Sequence, residues 1–256
     1  MNRQVPQKMM RTYTVVGNGK VAKHFLYYFK LLGIGVNHWH RHMPLSALHQ
    51  FVQSSDSLLL LIRDDAIEAF IREHPFIQAT TLVHFSGSLS SDMALACHPL
   101  MTFSSELYDL QHYQAFPFVC ENGVDFKSVF PQLKNPSYCI DKSQKAFYHA
   151  QCVMAGNFSQ ILMRSCCKQV SQKLGLPEDV MFPYLQQNTQ NFIANPDGSS
   201  TGPLQRGDLT TVNKNLQALE NNDLAGLYRA FITYSHLQKQ SKTSPTTTEV
   251  TTEKQP

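Results

Sequence analysis

The chain of 256 residues is long enough for one large domain or two modest ones, and 42% hydrophobic residues suffice for a real core. A formal net charge of +3, with no basic run or RNA-binding aromatic motif, gives no reason to expect a nucleic-acid partner. The six cysteines lack CxxC spacing, so neither a disulfide framework nor a zinc or other metal site is expected. The longest aliphatic run, 58–62, is far short of a membrane span.

The first strong signal is Tyr13-Thr14-Val15-Val16-Gly17-Asn18-Gly19-Lys20-Val21-Ala22. It reads as a strand, a glycine turn and the first turn of a helix, the arrangement that binds a dinucleotide pyrophosphate. Gly17 permits the tight turn, Gly19 lets a phosphate approach the backbone, and Ala22 is the small residue where helix packs on strand. The amides of Asn18, Lys20 and Val21 then face the anion. An ordinary strand-to-helix turn is the plainer alternative. Val21, Ala22, Phe25, Leu26, Phe29 and Leu32 recur at helical spacing, and Gly33 ends that helix.

Further strands are expected at 34–39, 57–62, 80–85, 94–97, 116–120 and 137–140. Asp64 or Asp65 is expected to cap a helix through Ile71. Such alternation predicts an α/β fold whose mostly parallel sheet carries helices on both faces. From Ser143 the pattern turns helical, with a long helix to Leu174 and more helix near 180–194, 209–219 and 224–237. The expected organisation is therefore a nucleotide-binding α/β domain over 1–142, an all-α domain over 143–237 and a disordered tail over 238–256. The polar start, residues 1–11, carries no apolar signal segment, which sets the cytoplasm as the expected location.

The choice of nucleotide rests on the segment after the second strand. No acidic residue stands between Gly19 and Asp56, where an NAD site offers a carboxylate to the ribose; instead there are His38, His40, Arg41 and His42. Arg41, helped by His40 or His42, suits a 2′-phosphate, which favours NADP(H) over NAD(H). A solvated basic turn and a metal site on the three histidines are the alternatives.

Four later segments complete the picture: Val83-His84-Phe85-Ser86-Gly87, His98-Pro99-Leu100-Met101-Thr102-Phe103, His149 with Gly156-Asn157-Phe158, and Thr201-Gly202-Pro203-Leu204-Gln205-Arg206-Gly207-Asp208. In this order, over roughly residues 11–237, they resemble an uncharacterised bacterial family with a Rossmann-like domain and a helical C-terminal domain of unknown function. That family is distantly similar to pyrroline-5-carboxylate reductase, ketopantoate reductase and the deazaflavin-dependent NADP oxidoreductases. The resemblance implies a nicotinamide cofactor between the two domains and a homodimer built through the helices; it supplies no substrate.

Ser86, Gly87 and His98 follow strands and are expected at the nicotinamide, Gly87 giving the ring room and Ser86 bonding its carboxamide; His98 is catalytic or structural. His149 is the candidate proton donor, and Asn157 either orients the substrate or packs between helices beside Gly156; eight residues separate the two, about 12 Å along a helix. Arg206, with Thr201 and Gly202, either binds a substrate carboxylate or phosphate or pairs with Asp208, itself the expected cap of the next helix. These residues predict an NADP(H)-dependent oxidoreductase moving hydride to or from a small carbonyl, imine or hydroxyl compound in an interdomain cleft. The alternative is a non-catalytic dinucleotide sensor.

Overall fold

The computed structural model describes residues 11–243, with no account of the side chains of 241–243. Among the described residues, β1 (Tyr13–Val16), β2 (Val36–Trp39), β3 (Ser57–Leu60), β4 (Thr81–His84), β5 (Leu95–Pro99), β6 (Phe118–Glu121) and β7 (Ser137–Ile140) form one sheet, ordered β2-β1-β3-β4-β5-β6-β7. Pairing is parallel from β2 to β5 and between β6 and β7, but β5 and β6 run antiparallel. The order reverses direction at β1, and in an open sheet the crevice beyond the strand carboxyl ends at that point receives ligands.

The two-residue period of the strands divides the core. Tyr13, Val15, Leu59 and Val83 point to one face, where Phe25, Phe29, Phe118 and Phe130 pack with them. Val16, Leu58, Leu60 and Leu82 point to the other, against Trp39, Leu48, Ile67 and Ile71. α1 (Lys20–Leu31) covers the first face; α2 (Leu45–Gln53) and α3 (Asp64–Glu73) cover the second. The expected helix-on-both-faces layout is therefore present. α2 had no counterpart in the sequence reading, although Leu45, Leu48 and Val52 carry its helical spacing.

The cap expected at Asp64 or Asp65 is corrected. Arg63 occupies the N-cap without a side-chain bond, and both aspartates lie in the first turn, where their charge favours the helix dipole. Beyond β5 come α4 (Leu110–Ala115) and α5 (Phe126–Val129), each opened by an aspartate: the Asp109 carboxylate accepts from the amide of His112, and Asp125 from that of Lys127.

The long helix expected from 143 is present but not uniform. α6 (Lys145–Cys152) runs through a π-helical segment, Val153–Phe158, into α7 (Ser159–Leu174). Then follow α8 (Phe182–Ala194), a one-turn α9 (Pro203–Arg206), α10 (Leu209–Ala218) and α11 (Ala225–Thr243). Asp208 caps α10 as expected, accepting from the Thr211 amide at 3.0 Å and its hydroxyl at 2.6 Å. Because α11 continues to Thr243, residues 238–243 of the expected tail are helical; 244–256 lie outside the described residues. The described residues divide into two compact units, 11–164 and 165–243, the division falling inside α7.

Candidate functional site

The site begins at the glycine turn after β1. Gly17 has φ +127°, and a Cβ there would lie 2.2 Å from the carbonyl oxygen of Leu61, so only glycine fits. The neighbouring strand β2 holds the turn twice: the Gly17 amide donates to Trp39 at 2.9 Å, and His38 Nε2–H donates to the Gly17 carbonyl at 2.7 Å. Gly19 is the N-cap of α1 with no side-chain bond, and a Cβ at that position would meet nothing within 4 Å. The first amides of α1 therefore remain open to an anion. Ala22 is fully buried, as close packing of helix and strand requires.

A cleft of about 1030 Å³ runs from this turn. Gly17, Asn18, Gly19, Lys20 and Val21 line it, as do His40, Arg41 and His42 at the end of β2, and Ser86 and His98 after β4 and in β5. The first unit thus brings together most of the residues expected to hold a cofactor. Arg41 is exposed at the cleft, with no acidic residue in β2 or the turn after it. The rings of His38, His40 and His42 follow one another at 5.4 and 5.9 Å. Among the described residues, no group of three or more His, Cys, Asp or Glu side chains is arranged to hold a metal.

Ser86 and Gly87 also hold the loop after β4. The Ser86 hydroxyl donates to Asp64 at 2.5 Å and accepts from the Leu89 amide at 2.8 Å, so it ties the loop after β4 to the start of α3. At Gly87 a Cβ would lie 2.6 Å from His149 Cδ2 and 3.0 Å from His98 Nε2. The missing side chain makes room for two histidines from distant parts of the chain.

Those histidines belong to a polar layer at the end of β4 and β5. His98 Nδ1 bonds the Tyr148 hydroxyl at 2.7 Å, and the His98 and His149 rings stand 6.3 Å apart, nearly perpendicular. Lys145, one turn before His149, is buried; its ammonium donates to Glu121 at 3.0 Å and also to the Leu89 carbonyl. Burial pulls the His98 pKa down to about 4, helped by His149 and Lys145. His84, fully buried with neither ring nitrogen bonded, is pulled down to about 4 by burial and then by Lys145, against the opposite pull of Glu121 and Asp64. Burial likewise lowers the Lys145 pKa, while the Glu121 bond opposes it.

Asn157 lies exposed in the π-helical segment, a helix form often met at functional sites. In the second unit, Arg206 donates to the carbonyl of Thr201, closing the turn that contains Gly202; Asp208 bonds Thr211 instead. Sequence reasoning passed over Tyr148 and Lys145, and read Asp64 only as a candidate helix cap. Lys145 and Tyr148 flank His149 at helical spacing, but their partners lie 24 and 50 residues away, and nothing local announces those contacts.

The site fits a nicotinamide dinucleotide. The turn at Gly17 is held rigid, Gly19 leaves the helix start open, and an exposed guanidinium stands where the sheet would present the adenosine ribose.

Sheet, glycine turn and crevice together define an α/β Rossmann-like protein with a helical C-terminal region. The comparisons agree. Residues 124–234 match the model of a domain of unknown function, DUF2520. The fold is similar to that of a candidate NADP oxidoreductase from Bacteroides fragilis (TM-score 0.70, 19% identity, covering 89% of this chain and 98% of that one). It is similar also to a Streptomyces aurantiacus imine reductase (0.61, 14%, 90% and 95%) and to the Plasmodium falciparum pyrroline carboxylate reductase with NADP bound (0.56, 11%, 91% and 100%). The resemblance read from the sequence is thus present in the helical domain and in the fold. No curated protein matches the chain. Among the described residues no helix is long and apolar enough to cross a membrane.

Proposed function

We propose that the protein is an NADP(H)-dependent oxidoreductase acting on a small carbonyl, imine or hydroxyl compound. The observation that carries this reading is the continuous cleft from the Gly17–Gly19 turn, past Arg41, to His98. When bound, the nicotinamide dinucleotide supplies or takes up hydride. The chain supplies the rest. The α1 amides and Lys20 hold the pyrophosphate, and Arg41 with His40 grips a 2′-phosphate through charge-assisted hydrogen bonds. Ser86 and Gly87 shape the loop that brings His98 and His149 together. His149 gives a proton to the reduced heteroatom, or takes one in the reverse direction. Asn157, and Arg206 with Thr201 and Gly202, are proposed to orient the substrate. The similarity of the fold to imine and pyrroline carboxylate reductases supports the reaction class.

The working form is proposed to be a homodimer joined through the helical region. Phe182, Phe192, Ile193, Phe231 and Tyr234 are all about half exposed or more, which is costly for a lone chain in water. Neither a nucleic acid nor a membrane is proposed as a partner, and the cytoplasm remains the proposed location.

Titration with NADPH and NADH tests the cofactor assignment. NADPH is expected to bind at least roughly tenfold more tightly than NADH, and Arg41→Ala to remove that preference. Failure of both nucleotides to bind at millimolar concentration would sink the proposal. Binding with no turnover of any carbonyl or imine, together with a nucleotide-dependent change in assembly, would favour the sensor reading.

A further inference from the structure

Among the described residues a His–Tyr side-chain pair occurs twice, and one copy is closed. In the core, His24 is fully buried; its Nδ1 bonds the Tyr113 hydroxyl at 2.8 Å and its Nε2 bonds the carbonyl of Ser104 at 3.1 Å. A carbonyl only accepts, so Nε2 carries the hydrogen. In a neutral ring Nδ1 must then accept, and the tyrosine is the donor. His98 repeats the first half of this arrangement, with Nδ1 on Tyr148 at 2.7 Å. Its Nε2 has no bonded partner among the described residues and faces the space over Gly87, at the end of the cofactor cleft.

We infer that Tyr148 fixes the tautomer of His98, so that a neutral imidazole presents Nε2–H to the reacting heteroatom of the substrate. His98 is then a catalytic residue that polarises the C=O or C=N bond, and Tyr148 is its positioning residue. The inference rests on the oxidoreductase reading of the cleft. A neutral imidazole is a poor acid but a good hydrogen-bond donor to charge that develops on oxygen or nitrogen, and its proton stays on the ring. The proton that completes reduction comes from His149, and hydride comes from the cofactor, so the two-electron balance closes.

The surroundings suit this role. The groups that face His98 are His149 and Lys145 from α6, His84 from β4 and Asp64 from α3. Lys145 is buried and paired with Glu121, a fixed positive charge that opposes a second one on His98. Burial, and after it the contact with Cys152, hold the Tyr148 phenol protonated, and His98 Nδ1 competes with the Cys152 sulfur for its hydrogen. Residues 98 and 148 come together because α6 returns to the end of β5, and Gly87 clears the space for His98 and His149.

NMR of protein labelled with ¹⁵N-histidine reads the protonation of each ring nitrogen, the His98 signals being those lost in His98→Gln. At pH 7 wild-type His98 is expected to carry hydrogen on Nε2 and none on Nδ1, and to stay neutral down to about pH 5.5. Tyr148→Phe is expected to shift the ring toward the Nδ1–H form and leave NADPH affinity unchanged. With a turned-over substrate it should lower kcat by roughly 10²-fold. A wild-type His98 that is charged at pH 6.5, or protonated on Nδ1, overturns the inference even if the variant fails to fold. A tautomer unmoved in folded Tyr148→Phe also overturns it. Failure to bind NADPH would sink the oxidoreductase reading but leave the ring-nitrogen result standing, so the two failures are distinguishable.

Discussion

Strand β3 and helix α8 are both rich in apolar side chains, yet they end in opposite environments. Leu58, Leu59 and Leu60 are buried to within 1% of full enclosure, whereas α8 has no buried residue, and its Phe192 and Ile193 are 58% and 72% exposed. In the middle of the sheet, β1, β3 and β4 are buried between neighbouring strands and the helices on both faces, so a single chain satisfies them; the edge strand β7 is not enclosed, and its Tyr138 is 62% exposed. The helical region was given the same kind of side chains without that cover. The contrast is between a sheet centre closed by its own chain and a helical region whose apolar side chains stand exposed in a single chain, which supports the proposed dimer.

The largest expected effect breaks the sheet's side of the comparison. Gly17→Ala places a Cβ 2.2 Å from a backbone oxygen at a positive φ, in a region with no slack. It should cost about 4 kcal/mol of stability and abolish nucleotide binding. Urea unfolding together with an NADPH titration measures both; a variant with wild-type midpoint and affinity would mean that the turn is not held as described.

Next comes the buried ion pair. Lys145→Met leaves the Glu121 carboxylate enclosed with only Ser90 to bond it, at 2.9 Å. Breaking such a pair typically costs about 3–5 kcal/mol, and Lys145→Met/Glu121→Leu should recover most of it. Lys142→Met, which breaks the exposed pair with Asp92, should leave the urea midpoint unchanged. Equal effects from the two lysines would show that the layer beneath His149 is open to water.

The same layer sets a pH dependence. His84 and His98 are held near pKa 4 in the folded chain against about 6.5 when unfolded. Between those values the unfolded chain binds more protons, so stability is complete above pH 6.5 and falls as pH drops toward 4. Each histidine contributes about 3 kcal/mol to that loss. Comparing urea midpoints at pH 7 and pH 4.5, His84→Leu should lose about half the slope; an unchanged slope would remove His84 as a source.

What the sequence disclosed and what it concealed follow from distance along the chain. The glycine turn was legible because a strand, a positive φ and a helix start are all encoded within ten residues. The place of Arg41 at the cleft was legible because it and the missing carboxylate share the turn after β2. The contacts Ser86–Asp64, Lys145–Glu121 and His98–Tyr148 were not, because they join residues 22, 24 and 50 apart through sheet register. For that reason the tie of Ser86 to Asp64, and the place of Gly87 beside His98 and His149, had no local sign. The antiparallel turn of β6 and the π-helical segment had no local signature, whereas the spacing of α2 was present and passed over.

The smallest expected effect tests the helical side. Gly156 sits in the π-helical segment, and a Cβ there would meet nothing within 4 Å of this chain. Glycine inside a helix loses more backbone freedom on folding than alanine, so Gly156→Ala should raise stability by roughly 0.5–1 kcal/mol if that face meets only water. Cover of the Gly156 face by a second copy is the alternative; Met154 and Phe158, two residues away on either side, lie near the opposite face and are 60% and 56% exposed in the single chain. The two situations separate by concentration. On an uncovered face the gain is the same at all protein concentrations. On a face packed against a second copy, the methyl group would weaken association, and the melting temperature of the variant would fall below that of the wild type as concentration rises. Thermal melts of both proteins over a hundredfold range of concentration, beside their sedimentation behaviour, therefore decide whether the contrast between sheet and helices extends to the residues around Asn157.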